Sequence, residues 1–222
     1  MSPDRRPRTT EILLPKIDPL EPGLFISIPR HLENCIVEQK WNGMRGLVYI
    51  QKGGPVRIKT KSGMVVTEKF PELERDFKLI GQRHAAVLDG EIIFGEGRTN
   101  ADRNEVIYRR TPSPIMAVRP NHPFRYIAFD IPFLDGVAIS EKVTLQRKAR
   151  LRALLATLPE GIHISAAGYA LTAKDKRMLL ESLEKGGYEG AVFKLKDSKY
   201  KMTRSGNRMI SPWKKYKFPQ AA

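Results

Sequence analysis

Val37-Glu38-Gln39-Lys40-Trp41-Asn42-Gly43-Met44-Arg45-Gly46 sets a lysine at the end of a β-like run, directly before a glycine-containing turn, with an arginine five residues further on. That context suits a reactive amine, because a lysine becomes nucleophilic when neighbouring cations or an apolar wall lower its pKa. Standing alone, a lysine before a turn is more often a solvated surface residue. The reading of Lys40 therefore depends on what surrounds it.

Downstream of this stretch, short β-rich runs alternate with turn signals. Leu47–Ile50 is followed by the turn Gly53-Gly54-Pro55, then Val56–Thr60, then Lys61-Ser62-Gly63 before Met64–Thr67, a pattern that predicts an antiparallel meander. Phe70, Leu73, Phe77 and Ile80 recur at helical spacing. Ala85–Phe94 predicts a longer strand interrupted at Asp89-Gly90, which with Asp135-Gly136 reads as a turn pair. The polar, Pro-containing segment Gly95–His122 reads as a surface excursion, and Arg125–Ile131 as a strand. A helix is predicted over Leu145–Leu158 with Leu145, Ala149, Arg152 and Leu155 on one side, then a short strand at Ile162–Ser165. Thr172 is a suitable N-cap for a helix over Ala173–Leu183 that Gly186-Gly187 would end, with strands to follow at Glu189–Leu195 and Trp213–Phe218. The first 30 residues are rich in Pro and Arg, which disfavours regular helix. The expected organisation is an N-terminal arm, 1–30, and one α+β domain, 31–222.

Charge is the compositional outlier. Lys+Arg number 39 against Asp+Glu 24, a formal net charge of +15, so a polyanion is the expected partner. Cys35 is the single cysteine, which excludes an internal disulfide and a cysteine-based metal cluster, and makes a reducing cytoplasm the expected compartment. No run of about 18 apolar residues exists, so no membrane partner is expected. In the basic stretch 196–208, Lys199, Lys201, Arg204 and Arg208 are read as phosphate-backbone contacts rather than a merely solvated loop, and Lys61 joins them.

The stretch around Lys40 resembles motif I of the covalent nucleotidyltransferases, usually Lys-x-Asp-Gly-x-Arg with an acidic residue two positions earlier. Its Lys-Trp-x-Gly-x-Arg form looks most like the ATP-dependent DNA ligases of bacteria and archaea, including those of end joining. Asn42 stands where most DNA ligases carry Asp, which keeps hydrogen-bonding capacity and removes a negative charge; some RNA ligases vary here. Further segments follow in family order: Lys59-Thr60-Lys61-Ser62-Gly63 with Phe70-Pro71-Glu72-Leu73, Leu88-Asp89-Gly90-Glu91-Ile92, Phe129-Asp130 with Leu134-Asp135-Gly136, Glu189-Gly190-Ala191-Val192-Phe193-Lys194, and Trp213-Lys214-Lys215-Tyr216-Lys217. Together they cover nearly all of the chain beyond the arm.

The resemblance implies a nucleotidyltransferase fold of two antiparallel sheets with flanking helices and ATP bound between them. It implies that Lys40 takes AMP from ATP as a lysyl phosphoramidate, that Glu38 meets the adenine amino group, and that Phe129 stacks on the base. Arg45 and Glu91 would hold the ribose, and Lys194, Lys215 and Lys217 would surround the α-phosphate and depress the Lys40 pKa. Glu189, with Glu91, would place Mg²⁺ or Mn²⁺. AMP would then pass to a 5′-phosphate at a nick, with nicked duplex DNA as the expected partner and a monomer as the expected state. Family members continue into an OB-fold after the last of these segments, so an OB-fold or repair partner is expected to be supplied separately. Three alternatives stay open: an RNA ligase, a capping-type guanylyltransferase, and a basic nucleic-acid-binding module that has lost catalysis.

Overall fold

The computed structural model describes residues 13–29, 32–98, 124–205 and 208–219. Among the described residues, two five-stranded sheets and a separate hairpin are built from twelve strands. In the first sheet the order is β1 (Gly23–Leu24), β12 (Trp213–Lys217), β9 (Gly190–Leu195), β2 (Cys35–Lys40) and β8 (Tyr169–Ala170). In the second it is β4 (Val56–Thr60), β3 (Met44–Ile50), β5 (Ala86–Phe94), β6 (Phe124–Leu134) and β7 (Ile164–Ala166). β10 (Thr203–Ser205) and β11 (Arg208–Ile210) form the hairpin. The α+β class holds, but the sheets are mixed: β1 runs parallel to β12 and β7 parallel to β6. The second of these pairs follows from a helical crossover between β6 and β7, which is what a parallel connection requires.

Among the described residues, three α-helices cover the outer faces. α1 (Pro71–Gly81) has Pro71 in its first turn with Glu72 and Glu74, where unsatisfied amides favour acidic side chains. It buries Leu73, Phe77 and Ile80 against the second sheet, each worth roughly 1.5–3 kcal/mol of removed apolar surface. α2 (Thr144–Leu155) joins the same core through Leu151 and Leu154. α3 (Ala173–Lys185) packs Leu180 and Leu183 on Val37, Ala191 and Phe193 of the first sheet. Its N-cap is Thr172, whose hydroxyl accepts the Asp175 amide at 3.1 Å. Among the described residues no helix is long and apolar enough to cross a membrane.

Several sequence expectations need correction. The buried side of α2 is Thr144, Arg147, Lys148, Leu151 and Leu154, whereas Ala149 and Arg152 are exposed; two cations occupy positions that an apolar pattern assigns to solvent. Asp89-Gly90 is no turn but the middle of β5, where the β5–β6 register slips. A Cβ on Gly90 would lie 2.5 Å from Tyr126 Cζ and 2.6 Å from the Ile127 carbonyl oxygen, so the strand passes only because glycine has none. Met64–Thr67 adds no strand: the chain makes one bridge, Lys59 to Val65, and enters a 3-10 turn at Thr67–Lys69. The described residues before residue 30 pack on the rest of the chain. Leu20 is buried against Tyr200 and Trp213, and Leu14 and Ile17 cover Leu47 and Tyr49. Of the predicted excursion Gly95–His122, residues 99–122 lie outside the described residues.

Candidate active site

Strand register builds the site. β2, β9 and β12 lie side by side, and their pairings align Lys40 with Gly190 and Lys217, Glu38 with Val192 and Lys215, and Ile36 with Lys194 and Trp213. Because alternate residues of a strand share a face, Glu38, Lys40, Val192, Lys194, Trp213, Lys215 and Lys217 project from one side of the first sheet. The second sheet offers Arg45, Glu91 and Phe129, with Arg45 opposite Glu91 across β3 and β5. A cavity of about 650 Å³ lies between them, lined by Glu38, Lys40, Trp41, Arg45, Glu91, Phe129, Val192, Lys194, Trp213 and Lys215, with Lys61 at its mouth.

At one end, the Lys40 ammonium donates to Glu189, whose other carboxylate oxygen holds Lys217 at 3.0 Å. Gly190 permits this: a Cβ there would stand 2.0 Å from the Tyr216 carbonyl oxygen, so only glycine lets β9 run this close to β12. Burial lowers the Lys40 pKa and is the largest influence; Glu189 and Glu91 oppose it, and Lys217 adds to it. The predicted like-charge effect on Lys40 is thus present but secondary to desolvation. Burial pushes Glu189 up, yet Lys40 and Lys217 outweigh it and hold its carboxyl below the usual range. Glu91 is pushed by burial to about 8, against the pull of Lys40 and Arg45.

At the other end, Glu38 is clamped. Its carboxylate meets Lys148 at 2.8 Å and Lys194 at 2.9 Å, with all three side chains almost fully buried. Lys194 also donates to the Phe129 carbonyl at 3.0 Å, and Lys148 to the Phe129 and Ala167 carbonyls at 3.3 and 3.4 Å. Lys194 therefore stands with the carboxylate of Glu38 rather than with the Lys40 and Glu189 pair, and burial lowers its pKa to about 8, only partly offset by Glu38. Phe129 lies between, its ring edge-on to Trp213 at 5.9 Å and open to the cavity.

Arg45 lines the cavity, but its guanidinium fork is filled by Asp89, at 2.9 and 2.6 Å. Asp89 is fully buried and also accepts the Tyr200 hydroxyl at 2.6 Å. Beneath Phe129, Asp130 takes a second bidentate arginine, Arg147, at 2.8 and 2.9 Å. Asn42 is buried and donates to the Arg98 carbonyl at 3.4 Å.

Of the residues predicted to touch nucleic acid, Lys61 borders the cavity, where it pairs with Glu21 at 2.9 Å. Lys199 instead pairs with Glu141 at 2.7 Å, and Lys201 is exposed. Arg204 and Arg208 fall in the β10–β11 hairpin, and their side chains lie outside what the structure describes. Sequence reasoning missed Lys148 altogether, for it sits mid-helix with no pattern to announce it. It also missed Tyr200, and read Asp89 only within a turn pair and a family segment.

A lysine-centred cleft between two sheets, walled by further cations and an aromatic ring, defines the nucleotidyltransferase class. The family described as the ATP-dependent DNA ligase domain matches residues 26–217, and the chain belongs to it. The multifunctional non-homologous end joining protein LigD of Pseudomonas aeruginosa is 31% identical over 173 residues, which are 77% of this chain and 19% of that protein. DNA ligase 2 of Thermofilum pendens is 26% identical over 72% of this chain and 27% of its own length. The chain thus spans about a quarter or less of these relatives. In fold it is similar to the ligase domain of M. tuberculosis LigD, with TM-score 0.64 and 24% identity over 91% of this chain and 60% of that one. The bacteriophage T7 ATP-dependent DNA ligase, solved in complex with ATP, gives TM-score 0.62 and 16% identity over 90% and 68%.

Proposed function

We propose that this domain transfers AMP from ATP to its own Lys40 and then to the 5′-phosphate of a nicked duplex DNA, acting as a cytoplasmic monomer. In the first step the neutral Lys40 amine bonds to the α-phosphorus, the bond to the β-phosphate oxygen breaks, and pyrophosphate leaves with those electrons. The step yields a lysyl phosphoramidate, in which the nitrogen keeps one proton and gives up the other to solvent. In the second, a 5′-phosphate oxygen bonds to the AMP phosphorus as its bond to the Lys40 nitrogen breaks and the amine takes back a proton from solvent; a 3′-hydroxyl finally attacks that 5′-phosphorus, gives its proton to solvent and displaces AMP, closing the strand. The observation that carries this reading is the row Lys40, Gly190, Lys217: a withdrawn amine whose pKa is lowered, at the foot of a cavity large enough for a nucleotide.

The remaining side chains support it. Phe129 and Val192 present apolar faces to a base, and the Glu38 carboxylate, fixed by its two lysines, is an acceptor suited to an adenine amino group. Lys215 and Lys217 would meet phosphate charge as it develops. Among the described residues no three His, Cys, Asp or Glu side chains are grouped to hold a metal. Glu189 and Glu91 near Lys40 nevertheless fit Mg²⁺ or Mn²⁺, ions that commonly take one or two carboxylates and complete their shell with substrate phosphates and water. Bound there, such an ion would neutralise triphosphate charge.

The experiment is incubation with α-labelled ATP and either metal, followed by a denaturing gel, for the native chain and Lys40→Ala. Label that survives denaturation only in the native chain supports the first step; no label in folded protein under either metal would sink it. Competition by GTP, and transfer to RNA rather than DNA nicks, would redirect the reading to the guanylyltransferase or RNA ligase alternative.

A further inference from the structure

β4 is an edge strand of the second sheet, and its residues alternate. Val56 and Ile58 are buried in the core against α1, while Arg57 and Lys59 turn to the face that also carries the cleft. In register Arg57 stands opposite Tyr49 and Lys59 opposite Leu47, and Lys61, in the turn that follows β4, lines the main cavity. A second cavity, of about 310 Å³, opens beside this row. Tyr49 and Leu14 form its apolar walls, Lys16, Arg57 and Lys59 its charged ones, and its lining contains no carboxylate.

Of these cations, Lys59 is held ready rather than neutralised. The Lys59 ammonium sits 4.6 Å from the centre of the Tyr49 ring, and the Tyr49 hydroxyl is fixed by the backbone of Ile17 at 3.2 and 3.4 Å. An ammonium already positioned loses less side-chain entropy on meeting an anion. Among the described residues neither Arg57 nor Lys59 forms an ion pair with an acid, and Lys16 has only a marginal one, with Asp18 at 4.0 Å. Alternate residues of a strand stand about 6.7 Å apart, roughly two steps of the ~3.4 Å axial phosphate rise on one strand of a duplex.

We propose that Arg57 and Lys59, with Lys16 across the second cavity, form a backbone track that continues from Lys61 and seats the sugar-phosphate strand of the duplex flanking the nick. The track rests on the nick-sealing reading for its ligand, but lies outside the nucleotide cavity and takes no part in loading Lys40. Base-edge recognition is absent from it, so it binds without regard to sequence.

The test compares the full chain with Arg57→Gln/Lys59→Gln, with Lys16→Gln, and with the charge-keeping Arg57→Lys/Lys59→Arg, after matching their melting temperatures. Binding of a nicked duplex is followed by fluorescence anisotropy over a salt series, and labelling by ATP is measured alongside. The double glutamine variant is expected to bind more weakly, with a slope of log affinity against log salt shallower by about 1.8, Lys16→Gln by about 0.9, and the charge-keeping variant not at all. Labelling should be the same in all. A slope unchanged by the glutamines, in protein that labels normally, overturns the track and leaves the adenylation reading standing. Slopes that fall as expected in protein that never labels would keep the track and sink adenylation. If the slopes hold but inorganic phosphate raises the melting temperature only where Arg57 and Lys59 are intact, the cavity takes free anions and the track is likewise overturned.

Discussion

The ammonium of Lys40 is bound to the carboxylate of Glu189 across the β2–β9 pair, with both side chains more than four-fifths withdrawn from solvent. The nucleophile is therefore stored as an ion pair, and its proton is held by one neighbour and repelled by another. Burial and Lys217 lower the Lys40 pKa, whereas Glu189 raises it. Attack requires the neutral amine, so the rate of self-adenylation should rise with pH until the Lys40 pKa is passed. Glu189→Gln removes a group that favours the charged amine and should move that rising limb to lower pH, even if the plateau falls. Lys217→Met removes a group that favours the neutral amine and should move it to higher pH. Single-turnover rates across a pH series measure both; shifts of the same sign in the two variants would exclude this account.

Asp89 is the buried centre of a second network, accepting both prongs of Arg45 and the hydroxyl of Tyr200. Asp89→Ala leaves a guanidinium and a phenol without their partner in the protein interior, and removing one member of a buried pair costs about 3–5 kcal/mol. A urea midpoint lowered to match is the expected result. Tyr200→Phe removes one hydrogen bond to a charged acceptor, about 1.5–3 kcal/mol, and also frees the Leu20 amide, which donates to that hydroxyl at 3.3 Å. Limited proteolysis near Leu20 should accelerate in the same variant.

What was legible in the sequence, and what was not, follows from which interactions are local. Strand alternation placed Lys215 and Lys217 on one face, as the β12 register does, and Thr172 caps the helix it was expected to cap. Neither needs a distant partner to be seen. Asp89-Gly90 was misread because the pair is usually a turn; what keeps it in a strand is Tyr126 packing over Gly90 and Arg45 neutralising Asp89, both remote in sequence. The α2 face was misread for a related reason. Arg147 and Lys148 are buried by acids on other strands, Asp130 and Glu38, and no helical period can reveal that. The pairing of β1 with β12 has no signal in the sequence, because β1 is two residues long and its partner lies almost 200 residues away.

Gly90→Ala tests the close approach at the centre of β5. A methyl group there would meet Tyr126 and the Ile127 carbonyl at distances that cannot be relieved by a flexible chain end. Overpacking of a rigid core typically costs about 1–3 kcal/mol, occasionally more. Tyr126 is additionally fixed by its hydrogen bond to the Gly46 carbonyl, at 2.9 Å, so the larger end of that range is expected, read as a lowered melting temperature. A turn at this position would have accepted alanine with far less cost.

Lys148 offers the sharpest separation of positioning from bulk stability. It binds no part of the main cavity, yet its ammonium and that of Lys194 together fix the carboxylate of Glu38. In Lys148→Met the methylene volume stays and the charge goes, leaving Lys194 as the ion-pair partner of Glu38 among the described residues. A carboxylate held by a single lysine can rotate away from the geometry that accepts an adenine amino group. The expected outcome is a raised KM for ATP in self-adenylation with a smaller change in kcat, a narrowed preference for ATP over GTP, and recovery of both by Lys148→Arg, since a guanidinium can reach the same carboxylate. Loss of the first cation should also hold Lys194 in its charged form more firmly, because Lys148 is among the groups that lower its pKa; the pH at which Lys194 titrates, followed by NMR of the labelled side chain, should therefore rise in Lys148→Met. A variant that merely unfolds would lower activity toward both nucleotides together and would not move that titration within folded protein.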